Sequence, residues 1–194
     1  MRPDPVMCAV YFLGAFTLAG VAQTIWLRSS WSRRWAKPLD GGRCWRGRRL
    51  LGDHKTWKGF LVMTPATALA FLGLALAAGA TRDDSPGTIW RLSNFEYLML
   101  GAWAGLGFML GELPNSFLKR QLDIEPGEAA SSVGARWFGA FVDQIDSVLG
   151  ALAALACVVS VPWQTWGILL ATGPVVHWMF NVVLWLLGVK RKAA

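Results

Sequence analysis

The sequence predicts an all-α integral membrane protein with about five transmembrane helices. Hydrophobic residues make up 54% of its 194 residues and the mean hydropathy is +0.39, which is too apolar for a soluble domain of this length. Five stretches are apolar enough to supply the roughly 20 residues that cross a hydrocarbon core of about 30 Å. We therefore predict one polytopic membrane domain, residues 1–194, with spans near 6–27, 59–80, 96–113, 141–161 and 165–188.

The distribution of Lys and Arg predicts the orientation of these spans. Of 19 basic residues, all but Arg2, Arg82 and Arg91 lie in the segments 28–58 and 112–140 or in the C-terminal tail. The positive-inside rule therefore places the N-terminus outside and the C-terminus in the cytoplasm, as an odd number of spans requires. The two polar cytoplasmic loops, near 28–58 and 112–140, are then the expected place of function. The outer connections are a turn at 83–87 and a tight turn near Pro162.

The first span could instead be a secretory signal, because residues 20–22 resemble a cleavage site. Cleavage would leave the basic loop on the translocated side, so we expect the segment to remain as a span. Cys8, Cys44 and Cys157 are scattered without C-x-x-C spacing, which argues against a disulfide framework or a zinc site.

Four glycines recur along the third span at small-x-x-x-small spacing. This pattern predicts close packing against a neighbouring helix, with a groove for a lipid chain as the alternative. The glycines are Gly101, Gly105, Gly107 and Gly111.

Two carboxylates at the start of the fourth span form the first candidate site. Asp143 and Asp146 lie at i and i+3, so a helix places both on one face. Anions this close repel unless one is protonated or a cation lies between them, and Mg²⁺ suits the arrangement because it binds carboxylates together with water and substrate phosphates. The alternative is an acidic pair that only favours the helix dipole. The apolar flanks, which open directly into a span, favour the metal.

Residues 112–120 form the second candidate site, at the end of the third span. We expect Pro114 to stop or kink the helix and to free backbone polar groups near Glu112. Arg binds phosphate through two parallel hydrogen bonds and Lys acts as a point charge. The alternative is a basic pair that only marks a cytoplasmic helix end. The candidate substrate-binding residues here are Asn115, Ser116, Lys119 and Arg120.

The basic loop at 38–59 forms the third candidate site. Its glycines allow backbone N–H groups to converge on a polyphosphate, although the spacing is not that of a Walker loop. A polybasic loop that binds anionic headgroups is the alternative. The Gly, Asp, His and Thr residues among the cations favour a specific pocket, and its candidate residues are Arg48, Arg49, Lys55 and Thr56.

Several short segments follow one another in order between residues 38 and 150. They are P-L-D at 38–40, G-R-R-L-L-G-D-H-K-T-W-K-G at 47–59, S-F-L-K-R at 116–120, P-G at 126–127 and D-Q-I-D at 143–146. This ordered set resembles the CDP-archaeol synthase family, membrane cytidylyltransferases related to phosphatidate cytidylyltransferase. The resemblance implies that a lipid phosphate attacks the α-phosphorus of CTP and yields a CDP-activated lipid and pyrophosphate.

The resemblance also implies roles for individual residues. Asp143 and Asp146 would hold Mg²⁺ as the catalytic metal. Glu112 stands where the family often has Asp, and because Glu also ligates Mg²⁺ we keep it as a third candidate ligand. The catalytic cations would be Lys119 and Arg120. The residues that would contact CTP or phosphate are Arg48, Arg49, Lys55, Thr56 and Ser116, to which the second candidate site adds Asn115.

The expected partners are CTP, a lipid phosphate monoester with long apolar tails, either archaetidic-acid-like or phosphatidate-like, and membrane lipids, with no nucleic acid. We expect the active site on the cytoplasmic face. Two other functional classes stay open at this point. One is a non-enzymatic membrane protein whose basic loop binds anionic lipid, and the other is a small transporter that uses intramembrane carboxylates.

Overall fold

Five long helices make up most of the chain. The computed structural model describes residues 3–79, 89–124 and 133–188, and in the first turns of the fourth helix it describes the backbone course and Gly139 but not the other side chains. The helices are α1 (Pro5–Arg28), α2 (Trp57–Ala77), α3 (Asn94–Gln121), α4 (Val133–Ala156) and α5 (Trp163–Leu186). The prediction of an all-helical protein is confirmed. Among the described residues, α1, α2 and α5 are long and apolar enough to cross a membrane.

The five helices form a ring in which each one packs against two others. Each helix contacts the next one along the chain, and α5 also contacts α1, which closes the ring. The packing is most extensive on the two sides of α3, against α2 and α4. The core side chains at these interfaces, among them Tyr97, Phe71, Met63 and Leu152, are almost fully buried. Because α3 is central to the packing, residues on its surface can meet groups from two neighbouring helices.

The third helix continues through Pro114 and ends only at Gln121. Pro lacks an N–H group and removes one hydrogen bond to the carbonyl four residues earlier, which usually breaks or bends a helix. Here the turns after Pro114 are stabilised because Asn115 and Lys119 bind a carboxylate of α4. The expectation that the helix stops at Pro114 is therefore wrong, and the alternative of a kink stays a prediction. The region near 112–140, expected to be a loop, is mostly helical in its described part.

Between α1 and α2 lies a compact segment that we call the hairpin loop, residues 36–56. Two short strands, β1 (Cys44–Trp45) and β2 (Arg48–Arg49), pair in antiparallel fashion. Arg46 and Gly47 connect them with φ angles of 52° and 78°, as a two-residue hairpin turn of type I′ requires. The two ends of the loop are joined by a hydrogen bond of 2.8 Å from the Leu39 N–H to the Lys55 carbonyl. This closure returns the chain to the start of α2.

The connections outside this region are partly described. The tight turn near Pro162 is confirmed, since α4 ends at Ala156 and Pro162 caps α5. The expected turn at 83–87, the P-G pair at 126–127 and the basic tail after residue 188 lie outside the described residues.

Candidate active site

Glycines bring α3 and α4 into backbone contact. A Cβ atom added to Gly111 would lie 2.9 Å from the Cα of Gly150, and one added to Gly107 would lie 2.6 Å from the carbonyl oxygen of Gly150. Residues with larger side chains cannot approach this closely. Gly101 and Gly105 pack instead against α2, where a Cβ on Gly105 would lie 2.8 Å from Thr67 Oγ1. The predicted packing role of the glycines is confirmed, and the crossing places the last turns of α3 beside the early turns of α4.

The amide of Asn115 joins the two carboxylates of the D-x-x-D segment. Its Nδ2 atom donates to Asp143 Oδ1 over 2.6 Å and to Asp146 Oδ2 over 2.9 Å. Both carboxylates therefore face α3, as their i, i+3 spacing on a helix predicts. Lys119, one turn further along α3, contacts both oxygens of Asp143. The Asp143 side chain is 47% exposed, so this end of the site opens to the outside of the protein.

Ser147 continues the network towards the interior. Its hydroxyl donates to Glu112 Oε1 over 2.9 Å, and its backbone N–H donates to Asp146 Oδ1 over 2.6 Å. The residue is fully buried. Ser147 is not among the residues that the sequence predicted for the site. Its position one helical turn after Asp143 was a usable signal, because residues at i and i+4 share a helix face.

Lys55 of the hairpin loop reaches the other oxygen of Glu112 and forms an ion pair with it. Burial lowers the pKa of the Lys55 ammonium, but the neighbouring Glu112 carboxylate raises it, and the net shift of the pKa is upward. Lys55 is therefore charged at neutral pH. Its contact connects the hairpin loop to the helix crossing.

These contacts form one continuous network, which we call the carboxylate cluster. Its members are Lys55, Glu112, Ser147, Asp146, Asn115, Asp143 and Lys119. Three carboxylates face two ammonium groups, so a formal negative charge remains to attract a cation. Of the residues predicted for the site, the structure brings six into this cluster.

The donor set fits Mg²⁺ bound partly by substrate. In the part of the chain that the structure describes, no group of three His, Cys, Asp or Glu side chains is arranged to hold a metal ion by itself. Mg²⁺ commonly binds to one or two carboxylates and completes its octahedron with water and substrate phosphates. Asp143 and Asp146, held on one face by Asn115, provide such a pair of ligands.

A second buried carboxylate organises the hairpin loop. Asp40 accepts hydrogen bonds from the guanidinium of Arg49 and from the backbone N–H groups of Gly42, Leu51 and Gly52. Burial raises the pKa of Asp40, but these donors lower it further, so its pKa lies well below the usual range. Arg49 also pairs with the exposed Asp53 over 3.0 Å. These contacts give Arg49 a structural role in the loop.

The hairpin packs against α3 on the side away from the carboxylate cluster. The ring of Trp45 stacks on Phe117, and the Arg48 guanidinium contacts Asp123 and the carbonyl of Gln121. Residues 117 and 121 share one helix face, about 200° around the axis from Lys119. The structure therefore does not place Arg48 or Arg49 with the cluster residues of α3.

Three other predicted site residues lie near the cluster in sequence. Thr56 is buried at the N-cap of α2, directly after Lys55. Ser116 and Arg120 are partly buried on α3, next to Asn115 and Lys119.

Comparisons with known proteins point to one family. A family model described as CarS-like CDP-archaeol synthase matches residues 34–193. Curated relatives with the name CDP-archaeol synthase include one from Halorubrum lacusprofundi, 34% identical over 80% of this chain and 83% of the relative. Another, from Halobacterium salinarum strain R1, is 38% identical over 79% of this chain and 81% of the relative. A third, from Thermococcus kodakarensis, is 30% identical over 79% and 80%.

A solved structure is similar over nearly the whole chain. It is described as an intramembrane enzyme for archaeal membrane lipids biosynthesis. The TM-score is 0.66 at 27% sequence identity, and the match covers 93% of this chain and 97% of that one.

Proposed function

The chain belongs to the CDP-archaeol synthase family, and on that premise we propose how its own residues carry out the reaction. The enzyme is a CTP-dependent cytidylyltransferase that activates an archaeal lipid phosphate. An oxygen of the lipid phosphate forms a bond to the α-phosphorus of CTP, and the bond from that phosphorus to the oxygen bridging to the β-phosphate breaks. The products are the CDP-activated lipid and pyrophosphate.

The observation that supports this assignment of residues is the carboxylate cluster at the α3–α4 crossing. In our proposal, Asp143 and Asp146 hold Mg²⁺, and Asn115 keeps their carboxylates on one face. The metal would neutralise charge on the phosphates of CTP when it is bound. The ligand role of Glu112 stays a prediction, because Ser147 and Lys55 contact its two oxygens.

Lys119 exchanges partners during the reaction. Its ammonium contacts Asp143 at the open end of the cluster, where the phosphates of CTP would arrive. A phosphate oxygen can replace the carboxylate as the partner of Lys119, and Asp143 would then be free to hold the metal. In nucleotidyl transfer the protein acts mainly by positioning groups and neutralising charge, and this exchange serves both purposes.

The reaction needs no strong general base from the protein. A phosphate monoester has a second pKa of about 6 and is largely a dianion at neutral pH. The lipid phosphate is therefore already nucleophilic when it meets CTP, whose phosphates Lys119 and the adjacent Arg120 would hold. The roles of Arg48, Arg49, Thr56 and Ser116 in contacting the substrates also stay predictions.

We propose five spans with the N-terminus outside, the C-terminus in the cytoplasm and the carboxylate cluster on the cytoplasmic face. The three apolar helices α1, α2 and α5 and the distribution of basic residues support this orientation. Lys55 precedes α2, Lys119 lies near the end of α3 and Asp143 lies in the first half of α4, so all three occur at one end of the helix ring. That end can meet CTP from the cytoplasm and a lipid phosphate from the membrane.

The lipid that we propose is an ether-linked isoprenoid glycerol phosphate. Its test uses purified protein with Mg²⁺ and radiolabelled CTP, and offers digeranylgeranylglyceryl phosphate and phosphatidate in parallel. We expect label to enter the lipid phase with the first lipid and to disappear when EDTA removes the metal. Label that appears only with phosphatidate would contradict the proposal that the substrate is an isoprenoid lipid. Label that still enters the lipid phase in EDTA would contradict the proposal that the reaction requires Mg²⁺.

A pair of variants tests the proposed metal ligands. Asp146→Asn keeps the size of the side chain but removes its charge, and we expect turnover to fall about 100-fold or more. Asp4→Asn is the matched control, because the exposed Asp4 caps the start of α1 and Asn caps a helix about as well as Asp, so turnover should not change. Unchanged turnover by well-expressed Asp146→Asn would contradict the proposed site.

A further inference from the structure

An apolar groove runs along the seam between α3 and α4, on the outer side of the helix ring. Its volume is about 330 Å³. The glycine crossing forms its floor, where the two backbones touch. Six residues form most of its length, namely Trp103, Leu106 and Leu110 on α3 and Gly150, Ala153 and Cys157 on the α4 side.

One end of the groove reaches the carboxylate cluster. Gly111 lines the groove and directly precedes Glu112, and Gly150 lies one turn after Asp146. At the other end, the indole N–H of Trp103 donates to the Ala154 carbonyl over 2.8 Å. The groove is therefore charged at one end and apolar along the rest.

We propose that this groove holds one apolar tail of the lipid phosphate substrate, with the phosphate at the carboxylate cluster. The inference rests on the proposed function. Such a lipid has a charged phosphate and long apolar chains, and the cluster and groove have the same arrangement in the same order. The tail leaves an apolar bilayer for an apolar groove, so the groove acts by fitting and aligning the tail and not by removing it from water. A lipid that ends in a phosphate monoester can contact the cluster while its tail lies in the groove, whereas the same lipid without the phosphate cannot.

A native thiol allows a direct test. Cys157 lines the groove eleven residues after Asp146, which corresponds to about 16 Å along a helix. Cys8 is buried, and Cys44 is exposed in the hairpin loop and can be replaced by Ser. The experiment measures the rate at which N-ethylmaleimide labels Cys157 of Cys44→Ser protein in phosphatidylcholine nanodiscs. The additions are the isoprenoid lipid phosphate, the same lipid without its phosphate, or glycerol 1-phosphate.

We expect the lipid phosphate to slow labelling of Cys157 about tenfold and the other two additions to leave the rate unchanged. A control thiol introduced as Val175→Cys on α5, with Cys157→Ser, should be labelled at one rate under all conditions, because residue 175 is exposed on another helix. If the preparation converts the lipid to its CDP form and the labelling rate of Cys157 is still unchanged, the proposal that the groove holds the tail is wrong. The proposed function is then unaffected. Equal slowing by the lipid without phosphate would also overturn the proposal, since the groove would then hold any membrane lipid.

A second variant blocks the groove without touching the cluster. Ala153→Trp places a large side chain in the groove, whereas Ala171→Trp places it on an exposed position of α5. We expect Ala153→Trp to raise the KM for the long-tailed lipid about tenfold and to leave CTP binding unchanged, with no effect of Ala171→Trp. An unchanged KM in both variants would overturn the proposal. If the unmodified protein does not convert the lipid at all, the proposed function itself is wrong.

Discussion

The fully buried hydroxyl of Ser147 on α4 donates a hydrogen bond of 2.9 Å to Glu112 Oε1 on α3. Glu112 in turn pairs with Lys55 of the hairpin loop. One hydroxyl group thereby connects the helix crossing to the loop that precedes α2. The Glu112 carboxylate is thereby held between α4 and the hairpin loop.

The first prediction concerns Ser147→Ala, which removes the donor to Glu112. A hydrogen bond to a charged group contributes about 1.5–3 kcal/mol, so we expect a lower melting temperature. Because the same hydroxyl also lies 3.2 Å from Asp146 Oδ1, we expect the variant to need a higher Mg²⁺ concentration. The measurements are thermal unfolding and direct Mn²⁺ binding, together with turnover as a function of Mg²⁺ concentration.

Thr172→Ala is the matched control for this prediction. The Thr172 hydroxyl donates to the Ile168 carbonyl within α5 over 2.8 Å. The substitution therefore removes a hydroxyl whose hydrogen bond lies outside the cluster. A Ser147→Ala protein that binds Mn²⁺ as tightly as the Thr172→Ala protein would show that Ser147 does not position the ligands.

Much of the carboxylate cluster could be predicted from the sequence, because its charges interrupt apolar segments. Asp143 and Asp146 share a helix face by their spacing alone, and Asn115 and Lys119 share another face by theirs. Ser147 could not be recognised with similar ease, since a serine in a membrane helix often bonds only to its own backbone. Its contact with Glu112 depends on how two helices cross.

The role of the hairpin loop was harder to predict. Arg48 and Arg49 lie among glycines in a pattern that suits phosphate binding, but the buried Asp40 and the exposed Asp123 are their partners in the structure. Asp40 lies nine residues from Arg49, and contacts of this kind depend on the folded path of the loop. Pro114 was misleading for a similar reason, because contacts between α3 and α4 stabilise the helix beyond it.

The second prediction concerns Gly150→Ala at the helix crossing. The added methyl group would lie 2.6 Å from the Cα of Gly111 and 2.9 Å from its N atom, so the helices must move apart. Overpacking of this kind costs about 1–3 kcal/mol and displaces the carboxylates of α4 from Asn115. We expect lower thermal stability and a larger proportional loss of activity.

Gly167→Ala on α5 is the control for Gly150→Ala. A methyl group there meets nothing within 4 Å, so the exchange should stabilise the helix by up to about 1 kcal/mol and leave activity unchanged. Equal behaviour of the two variants would contradict the idea that the crossing positions the site.

The third prediction concerns pH and Asp40. Burial raises its pKa, but Arg49 and three backbone N–H groups lower it more, so the pKa of the folded state lies below the ordinary value of about 3.9. A lowered pKa in the folded state adds stability that is fully present above about pH 4 and is lost as the pH falls below it. We expect the melting temperature of the wild-type protein to decrease between about pH 4 and pH 2.

Two variants separate Asp40 from other carboxylates in this experiment. Asp40→Asn should lose about 1–3 kcal/mol at neutral pH, because the backbone N–H groups that bind Asp40 lose a charged acceptor, and should show a weaker pH dependence. Asp123→Asn removes a pair whose acidic side chain is 66% exposed, so its effect should be below about 1 kcal/mol. A pH profile of Asp40→Asn that matches the wild type would contradict the assignment.

The last prediction compares the two lysines of the cluster. Lys119→Gln removes a cation from the open end of the site, so we expect kcat/KM for CTP to fall about 10- to 100-fold, as the loss of a charged hydrogen bond implies. Its stability should change little, because ion pairs with exposed partners contribute at most about 1 kcal/mol. Lys55→Gln should be strongly destabilising, by about 3–5 kcal/mol, because it leaves the Glu112 carboxylate, 19% exposed, without its ion-pair partner.

Steady-state kinetics and thermal unfolding of both variants distinguish catalysis from structure at the two ends of the cluster. Lys37→Gln is the control, since Lys37 is exposed at the start of the hairpin loop and should change neither quantity. If Lys119→Gln lowered the melting temperature as much as Lys55→Gln and left the KM for CTP unchanged, Lys119 would be a structural partner of Asp143. The proposed exchange of Lys119 from carboxylate to phosphate would then be wrong, because a lysine that must stay with Asp143 to hold the fold cannot move to CTP.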